Sequence, residues 1–186
     1  MMTRYLLALV MIIGAGSAHA VEYNRLQADK SSIAFTYQQM GVKMDGKFKR
    51  FYANFTFDPT KPTAAVVALD VDLSAIDAGS DEADSEVIGK VWLNTKAFPT
   101  AHFASSAIRA LGGNRYEVTG KFTIKGRSQD VVFVATLATQ GVTGVFDGSF
   151  VIRRADFTIG EGSWAKFDVV ANDVLVKFHM TATSGK

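Results

Sequence analysis

The sequence predicts an all-β fold of about eight antiparallel strands, closed as a barrel or packed as a sandwich. Three observations carry this. The first is alternation: Tyr116, Val118, Phe122 and Ile124, with Gly120 in step, hold every second position, while Glu117, Thr119, Lys121, Thr123 and Lys125 fill the places between them. That is the period of a strand with one dry face and one wet face. The second is recurrence, since similar short runs return along the chain between turn signals, without a linker or a low-complexity stretch. The third is one exception between Ser80 and Phe98, where Val87, Ile88, Val91 and Trp92 sit at i, i+1, i+4 and i+5. A strand cannot gather such a stripe on one side, and the spacing predicts one inserted amphipathic helix.

In chain order, residues 1–20 read as a cleaved signal peptide. Arg4 supplies a positive start, Tyr5 to Ile13 an apolar core too short to span a bilayer, and Ala18-His19-Ala20 the small-x-small cleavage signature. Residues 21–186 are then expected as one exported, soluble domain, with no Cys to receive a lipid anchor and no later apolar run long enough for a membrane helix. After a polar lead-in, Ile33, Phe35 and Tyr37 alternate with Ala34, Thr36 and Gln38 as the first strand. Gly41 and Gly46 bracket a turn. Phe48, Phe51, Phe55 and Phe57 follow, and the step from Phe48 to Phe51 breaks the alternation, so a bulge or bend is expected near Lys49 and Arg50.

Asp58-Pro59-Thr60-Lys61-Pro62 reads as a turn, and Val67, Leu69, Val71 and Leu73 as the next strand. In the helical segment Asp81, Glu82 and Asp84 lie toward the start, where the helix dipole favours negative charge, and Pro99 lies just past the end. Strands resume over 101–110, 115–125, 130–139, 144–153 and 173–183. Turn chemistry falls at Gly112-Gly113-Asn114, Gly126-Arg127-Ser128 and Gly141.

Composition narrows the chemistry. Zero Cys removes disulfides, thiolate catalysis and cysteine metal sites. A formal net charge of +2 gives no dense basic face, which argues against nucleic acid as a partner. His102 and His179 fall on the polar sides of separate strands and read as surface residues, so no catalytic residue and no metal site is assigned. Gly160-x-Gly162-x-x-Ala165 lacks the βαβ unit a dinucleotide fingerprint needs. Asp70, Asp72 and Ser74 imitate a calcium loop, but Ala75 stands where Gly is obligatory. The sequon Asn54-Phe55-Thr56 lies mid-strand, and no Gly-x-Ser-x-Gly elbow exists.

Several landmarks, in order and spacing, resemble the YceI family of bacterial periplasmic proteins. They are Ser32-Ile33-Ala34-Phe35, Met40-Gly41 with Gly46-Lys47-Phe48, Phe57-Asp58-Pro59, Phe98-Pro99 with Phe103-Ala104-Ser105, Val118 through Gly126, and Arg154-Ala155-Asp156-Phe157-Thr158-Ile159-Gly160. The resemblance spans essentially all of residues 21–186. It implies an eight-stranded antiparallel lipocalin-like β-barrel with one inserted amphipathic helix, a periplasmic location and polyisoprenoid binding without catalysis. Many relatives carry His where this chain has Gln39, and another in the helical segment, where this chain has residues such as Glu86 and Lys90; any role of those histidines is not carried over. Gln39-Met40-Gly41 and Gly160-Glu161-Gly162-Ser163-Trp164 are similar to a subgroup found near cytochrome b561-type membrane proteins. That likeness implies a quinone-like ligand and such a protein as partner.

A barrel of about eight strands is wide enough either to be filled by side chains or to hold one slim apolar ligand. The expected inward face is aromatic: Phe35, Tyr37, Phe48, Phe55, Phe57, Phe103, Phe122, Phe133, Phe150 and Phe178, with Trp92 from the helix and Gln39 at the edge. These twelve are the candidate ligand-binding residues. Such a lining accepts a long hydrocarbon at about 0.8 kcal/mol per buried methylene. No cofactor is required, although a bound isoprenoid lipid or quinone is compatible with the lining, and Gln39 and Tyr37 are candidate hydrogen-bond partners of a quinone carbonyl. Lys43, Lys47, Lys49 and Arg50 near one barrel end, and Arg153 and Arg154 near a mouth, are candidates for a diphosphate head group; ordinary solvated strand faces explain the same residues. The expected function is carriage or sequestration of a polyisoprenoid or isoprenoid quinone. Three questions stay open at this level: whether the fourteen Phe instead pack as a solid core in a stress-related or adhesion module, whether the chain is itself an enzyme acting on a lipid bound in the barrel, and whether it forms a homodimer.

Overall fold

The computed structural model describes residues 21–185, so the signal peptide expected over residues 1–20 lies outside the described residues. One antiparallel sheet of eleven strands makes up the molecule. In chain order these are β1 (Arg25–Leu26), β2 (Ser32–Gln39), β3 (Val42–Phe48), β4 (Phe51–Thr56), β5 (Val66–Asp72), β6 (Ile76–Asp77), β7 (Thr100–Gly112), β8 (Arg115–Ile124), β9 (Arg127–Gln140), β10 (Thr143–Arg153) and β11 (Asp173–Thr183). A single α-helix, α1 (Asp81–Val87), lies between β6 and β7.

The hydrogen-bonded order is β4-β5-β7-β8-β9-β10-β11-β2-β3-β6, with β1 paired to β11. β4 therefore lies at one edge and β3 at the other, beside the two-residue β6, although only Lys49 and Arg50 separate them, so the chain itself carries one edge round to the other. The bend expected at this step is what curls the sheet. Lys49 N–H donates to Ala75 O (2.8 Å), and Asp72 N–H donates to Arg50 O (3.1 Å) across the seam. Counted as one bent strand, β3–β4 leaves eight long strands in the wall, with β1 and β6 as two-residue additions. Those additions account for the higher strand count, because patches so short carry no periodic signal.

One end of the barrel carries the β2–β3 turn, α1 and the turns after it, the β8–β9 turn and the segment 154–172. The opposite end is floored by aromatic rings. Tyr23 and Phe57 meet Phe146 edge-on at 5.6 and 5.2 Å, and Phe57 meets Tyr116 at 4.9 Å. The wall is not uniform. β9 and β10 pair from Gln140↔Thr143 to Ala135↔Gly148 and then part, and the rings of Phe133 and Phe150 stack across the divergence at 5.2 Å.

Glycines inside the strands seat the inward rings. The inward faces of Gly46, Gly120 and Gly148 lie directly under the rings of Phe35, Phe103 and Phe178, where a Cβ would collide with the ring, and Gly144 similarly seats Tyr23. Gly46 thus lies within β3 rather than in a turn. The actual β2–β3 turn is Met40-Gly41, and the β8–β9 turn is Lys125-Gly126, both with positive φ at each position, which matches strand twist in two-residue hairpins.

The inserted helix is shorter than its pattern predicts. Ser80 caps it by accepting Ala83 N–H (3.2 Å), and Asp81, Glu82 and Asp84 occupy its first turn. It ends at Val87 because Gly89 follows and Asn94 turns back with φ of 51°. Residues 88–98 run as successive turns, and Trp92 projects from these, not from the helix. Adjacent Trp92 and Leu93 are both buried while Ile88 and Val91 are exposed; a buried neighbouring pair imitated a helical stripe.

Candidate functional site

The interior of the barrel is hollow. A cavity of about 540 Å³ occupies it, within the range of natural small-molecule sites. All twelve candidate residues, from Phe35 and Tyr37 through Gln39, Phe48, Phe55, Phe57, Trp92, Phe103, Phe122, Phe133, Phe150 and Phe178, lie on its wall. Strand parity brings them together, since β2, β3, β4, β7, β8, β9, β10 and β11 each turn one face inward. Phe133 is the junction, 5.6 Å from Phe103, 5.2 Å from Phe150 and 5.5 Å from Phe178. Phe48, Phe55, Phe133, Phe150 and Phe178 are only partly buried although they point inward, because they face the hollow. A solid aromatic core would cover them. That core, kept open by the composition, is not what forms.

The mouth lies at the end carrying α1. Gly79, Ser80, Glu82 and Glu86 line the cavity and are exposed, while Gln39, Met44 and Trp164 line it half-exposed, so the opening lies between α1, the β2–β3 hairpin and the 160–170 segment. The Tyr37 hydroxyl donates to Ala78 O (3.1 Å), and burial, followed by the charge of Asp84, raises its pKa. Its proton is therefore engaged. The Gln39 amide lines the same region and forms no side-chain hydrogen bond among the described residues. Glu86 accepts the Trp92 indole N–H at 3.2 Å and holds that ring in the wall.

Arg154 departs from expectation. It is 2% exposed and lines the cavity near the mouth, but its donors are spent. Nε donates to Ala171 O, Nη1 to Ile159 O and Gly160 O, and Nη2 to Trp164 O, Lys166 O and Val170 O, at 2.7–3.1 Å. The guanidinium lies between the rings of Trp92 and Phe167 at 5.4 and 5.1 Å. Burial lowers its pKa, yet a guanidinium stays charged. Arg154 organises the 155–171 segment and has no free donor for a phosphate. Neighbouring Arg153 is exposed and pairs with Asp156 (2.9 Å). Of the other basic candidates, Lys47 and Lys49 lie 3.9 and 3.8 Å from Asp77, and Arg50 lies 3.0 Å from Asp72. They sit on the outer face.

The two histidines oppose aspartates on neighbouring strands, His102 with Asp70 (2.6 Å) and His179 with Asp147 (2.7 Å), all outside the barrel. No cluster of His, Cys, Asp or Glu that could hold a metal occurs among the described residues. The composition hid one buried lysine paired with an exposed carboxylate: Lys125 Nζ donates to Thr158 O (2.6 Å) and to Glu161 Oε2 (2.8 Å), tying the β8–β9 turn to the segment beside the mouth. That hydrogen bond, together with the ammonium charge, holds the Glu161 carboxyl below the usual carboxylate range. A carboxyl depressed in the folded state contributes stability above its unfolded pKa of about 4.3 and loses it as pH falls through the folded value. Glu161→Gln is therefore expected to flatten the acid limb of stability against pH, measured by urea unfolding from neutral pH downward. An unchanged acid limb would show that the pair carries no pH-dependent stability.

An antiparallel barrel floored at one end and open at the other around an apolar hollow defines a lipocalin-like protein. The YceI-like domain matches residues 25–182, and the chain belongs to that family. Relatives include a UPF0312 protein of Photorhabdus laumondii, 30% identical over 160 residues covering 82% of this chain and 83% of that protein. A UPF0312 protein of Pseudomonas putida is 30% identical over 132 residues, 70% of this chain and 69% of that protein. Among solved structures, Burkholderia cenocepacia BcnA superposes with a TM-score of 0.83 at 40% identity, covering 85% of this chain and 99% of that one. A polyisoprenoid-binding domain from Saccharophagus degradans shares the fold, with a TM-score of 0.69 at 14% identity over 90% of this chain and 100% of that one.

Proposed function

We propose that this chain is a non-enzymatic lipid-binding protein of the periplasm that holds a polyisoprenoid or an isoprenoid quinone inside its barrel, for carriage or sequestration. The hollow carries the proposal. An apolar cavity of about 540 Å³ leaves ring surface uncovered to no purpose in folding, and a prenyl chain entering it would gain about 0.8 kcal/mol per methylene buried. The polyisoprenoid-binding domain of Saccharophagus degradans, with the same fold, supports the ligand class, and the signal sequence read over residues 1–20 supports the location. Gln39, with its amide unengaged beside the mouth, is the residue suited to a quinone carbonyl or a prenyl alcohol hydroxyl. A cytochrome b561-type membrane protein remains the proposed quinone partner.

Among the described residues the buried cations are Arg154, whose donors are all engaged, and Lys125, which is paired, and this disfavours a diphosphate as head group. Native mass spectrometry of protein purified from its own host, followed by lipid extraction, is expected to show an isoprenoid adduct. Protein that is empty and also refuses added prenyl alcohols and quinones would overturn the proposal.

A further inference from the structure

The β2–β3 hairpin at the mouth makes a choice that folding does not require. Its two-residue turn is Met40-Gly41, with φ of 49° at Met40 and 80° at Gly41. Asn or Gly suits the first of these positions, whereas a long side chain at positive φ costs backbone energy. Met40 is also 71% exposed. The position is thus unfavourable both in backbone and in solvation. Val42, paired with Gln39 across the hairpin, continues the inward parity of Met44 past the edge of the wall and is 61% exposed.

The segment 167–170 completes one lip. Met40 N–H donates to Val169 O (2.7 Å), Ala171 N–H donates to Gln38 O (3.0 Å), and Gln39 bridges Val170, so hairpin and segment are tied together. Phe167 and Val169 add apolar surface at 49% and 37% exposure. Gln39, Trp164 and Val170, which carry this lip, also line the cavity. Lys43 and Lys166 flank it, both exposed and neither within ion-pair distance of a carboxylate among the described residues. Asp45, two residues from Lys43, is bonded to Lys177 and Thr36. Asp168 is the one acid inside the lip, and its Oδ1 accepts its neighbour Val169 N–H. Across the mouth, α1 presents Asp81, Glu82, Asp84 and Glu86.

From this asymmetry we infer that the lip formed by the β2–β3 hairpin and residues 166–170 docks on the surface of an anionic lipid bilayer, placing the cavity mouth against the membrane. Four apolar side chains beside two free cations match acyl chains beneath anionic head groups. The acidic helix opposite is repelled by the same surface, which tilts the barrel onto one lip. The inference rests on the lipid-binding reading above, because it supplies the route by which a bilayer-resident hydrocarbon reaches the hollow.

Flotation with vesicles of phosphatidylcholine alone, or mixed with phosphatidylglycerol, tests it, run beside uptake of a fluorescent prenyl alcohol, and of an isoprenoid quinone, without vesicles. The chain is expected to float with the anionic vesicles and to be released by salt. Met40→Asn with Val42→Thr is expected to weaken vesicle binding roughly tenfold or more, while prenyl alcohol uptake is unchanged. Met40→Asn alone should match or exceed the wild-type melting temperature, which separates the apolar contact from a folding defect. Lys43→Gln and Lys166→Gln are each expected to weaken anionic binding roughly fivefold.

Vesicle binding unaltered by these substitutions, or equal on uncharged vesicles and indifferent to salt, would overturn the inference. So would flotation with host membranes but not with protein-free vesicles, which would assign the lip to a membrane protein. A chain that takes up prenyl alcohol but ignores anionic vesicles refutes docking alone; one that floats while refusing both prenyl alcohol and isoprenoid quinone upholds docking and refutes the lipid-binding reading.

Discussion

Arg154→Met is expected to cost the fold about 4 kcal/mol or more, because six carbonyl groups lose their donor at once and each buried acceptor left unpaired costs about 1–3 kcal/mol before relaxation. Methionine fills the slot between Trp92 and Phe167 but supplies no N–H. Arg154→Lys should fall between, since three rotatable donors cannot reach the carbonyls that the planar fork reaches. Urea unfolding gives the magnitude. Hydrogen exchange should locate the damage in residues 155–171, beside the mouth, before it reaches the strands. A variant within about 1 kcal/mol of wild type would show that water or backbone movement replaces the guanidinium at little cost.

The second large effect concerns the hollow. Val176 lies on β11 opposite Phe35 and Phe150 and lines the cavity, where it is only partly buried. Val176→Trp would project an indole into open space, so stability should change by less than about 1 kcal/mol, in contrast to the 1–3 kcal/mol typical of overpacking a filled core. Prenyl alcohol affinity should fall roughly hundredfold, because the indole displaces three or four methylenes' worth of burial at about 0.8 kcal/mol each. Phe157→Trp is the control. Phe157 is 2% exposed, lies off the cavity wall and packs edge-on against Phe122 at 5.5 Å, and its enlargement should carry the overpacking cost. Equal destabilisation by both substitutions would mean that the hollow collapses in solution.

The strands were legible because their signal is local. The run 173–183 emerges as β11 with the boundaries its alternation predicts, and the missed step between Phe48 and Phe51 marks the bend that closes the barrel. The same parity put all twelve candidate side chains on one wall. What stayed hidden depends on residues far apart in sequence. Whether inward rings meet or leave space depends on barrel radius, which no alternation encodes. Gly46, Gly120 and Gly148 read as turn or neutral positions until register sets a ring above each one. Arg154 looked like half of a solvated Arg-Arg pair, and only the return of the chain through residues 159–171 supplies its acceptors. The pattern predicts a longer helix than forms because Trp92 and Leu93 are held inward by successive turns that share helical spacing by coincidence.

The glycine seats give the tunnel an adjustable calibre. With Phe35, Phe103 and Phe178 lying flat on bare backbone, the bore stands near the greatest width these rings allow. At Gly148 an added methyl would meet the Phe178 ring first and lift it toward the axis, whereas at Gly46 and Gly120 it would also meet the Asp77 and Ala104 carbonyl oxygens and push the strands apart. Descendants of this barrel could therefore narrow their choice of guest through Gly148, without touching a residue that contacts it.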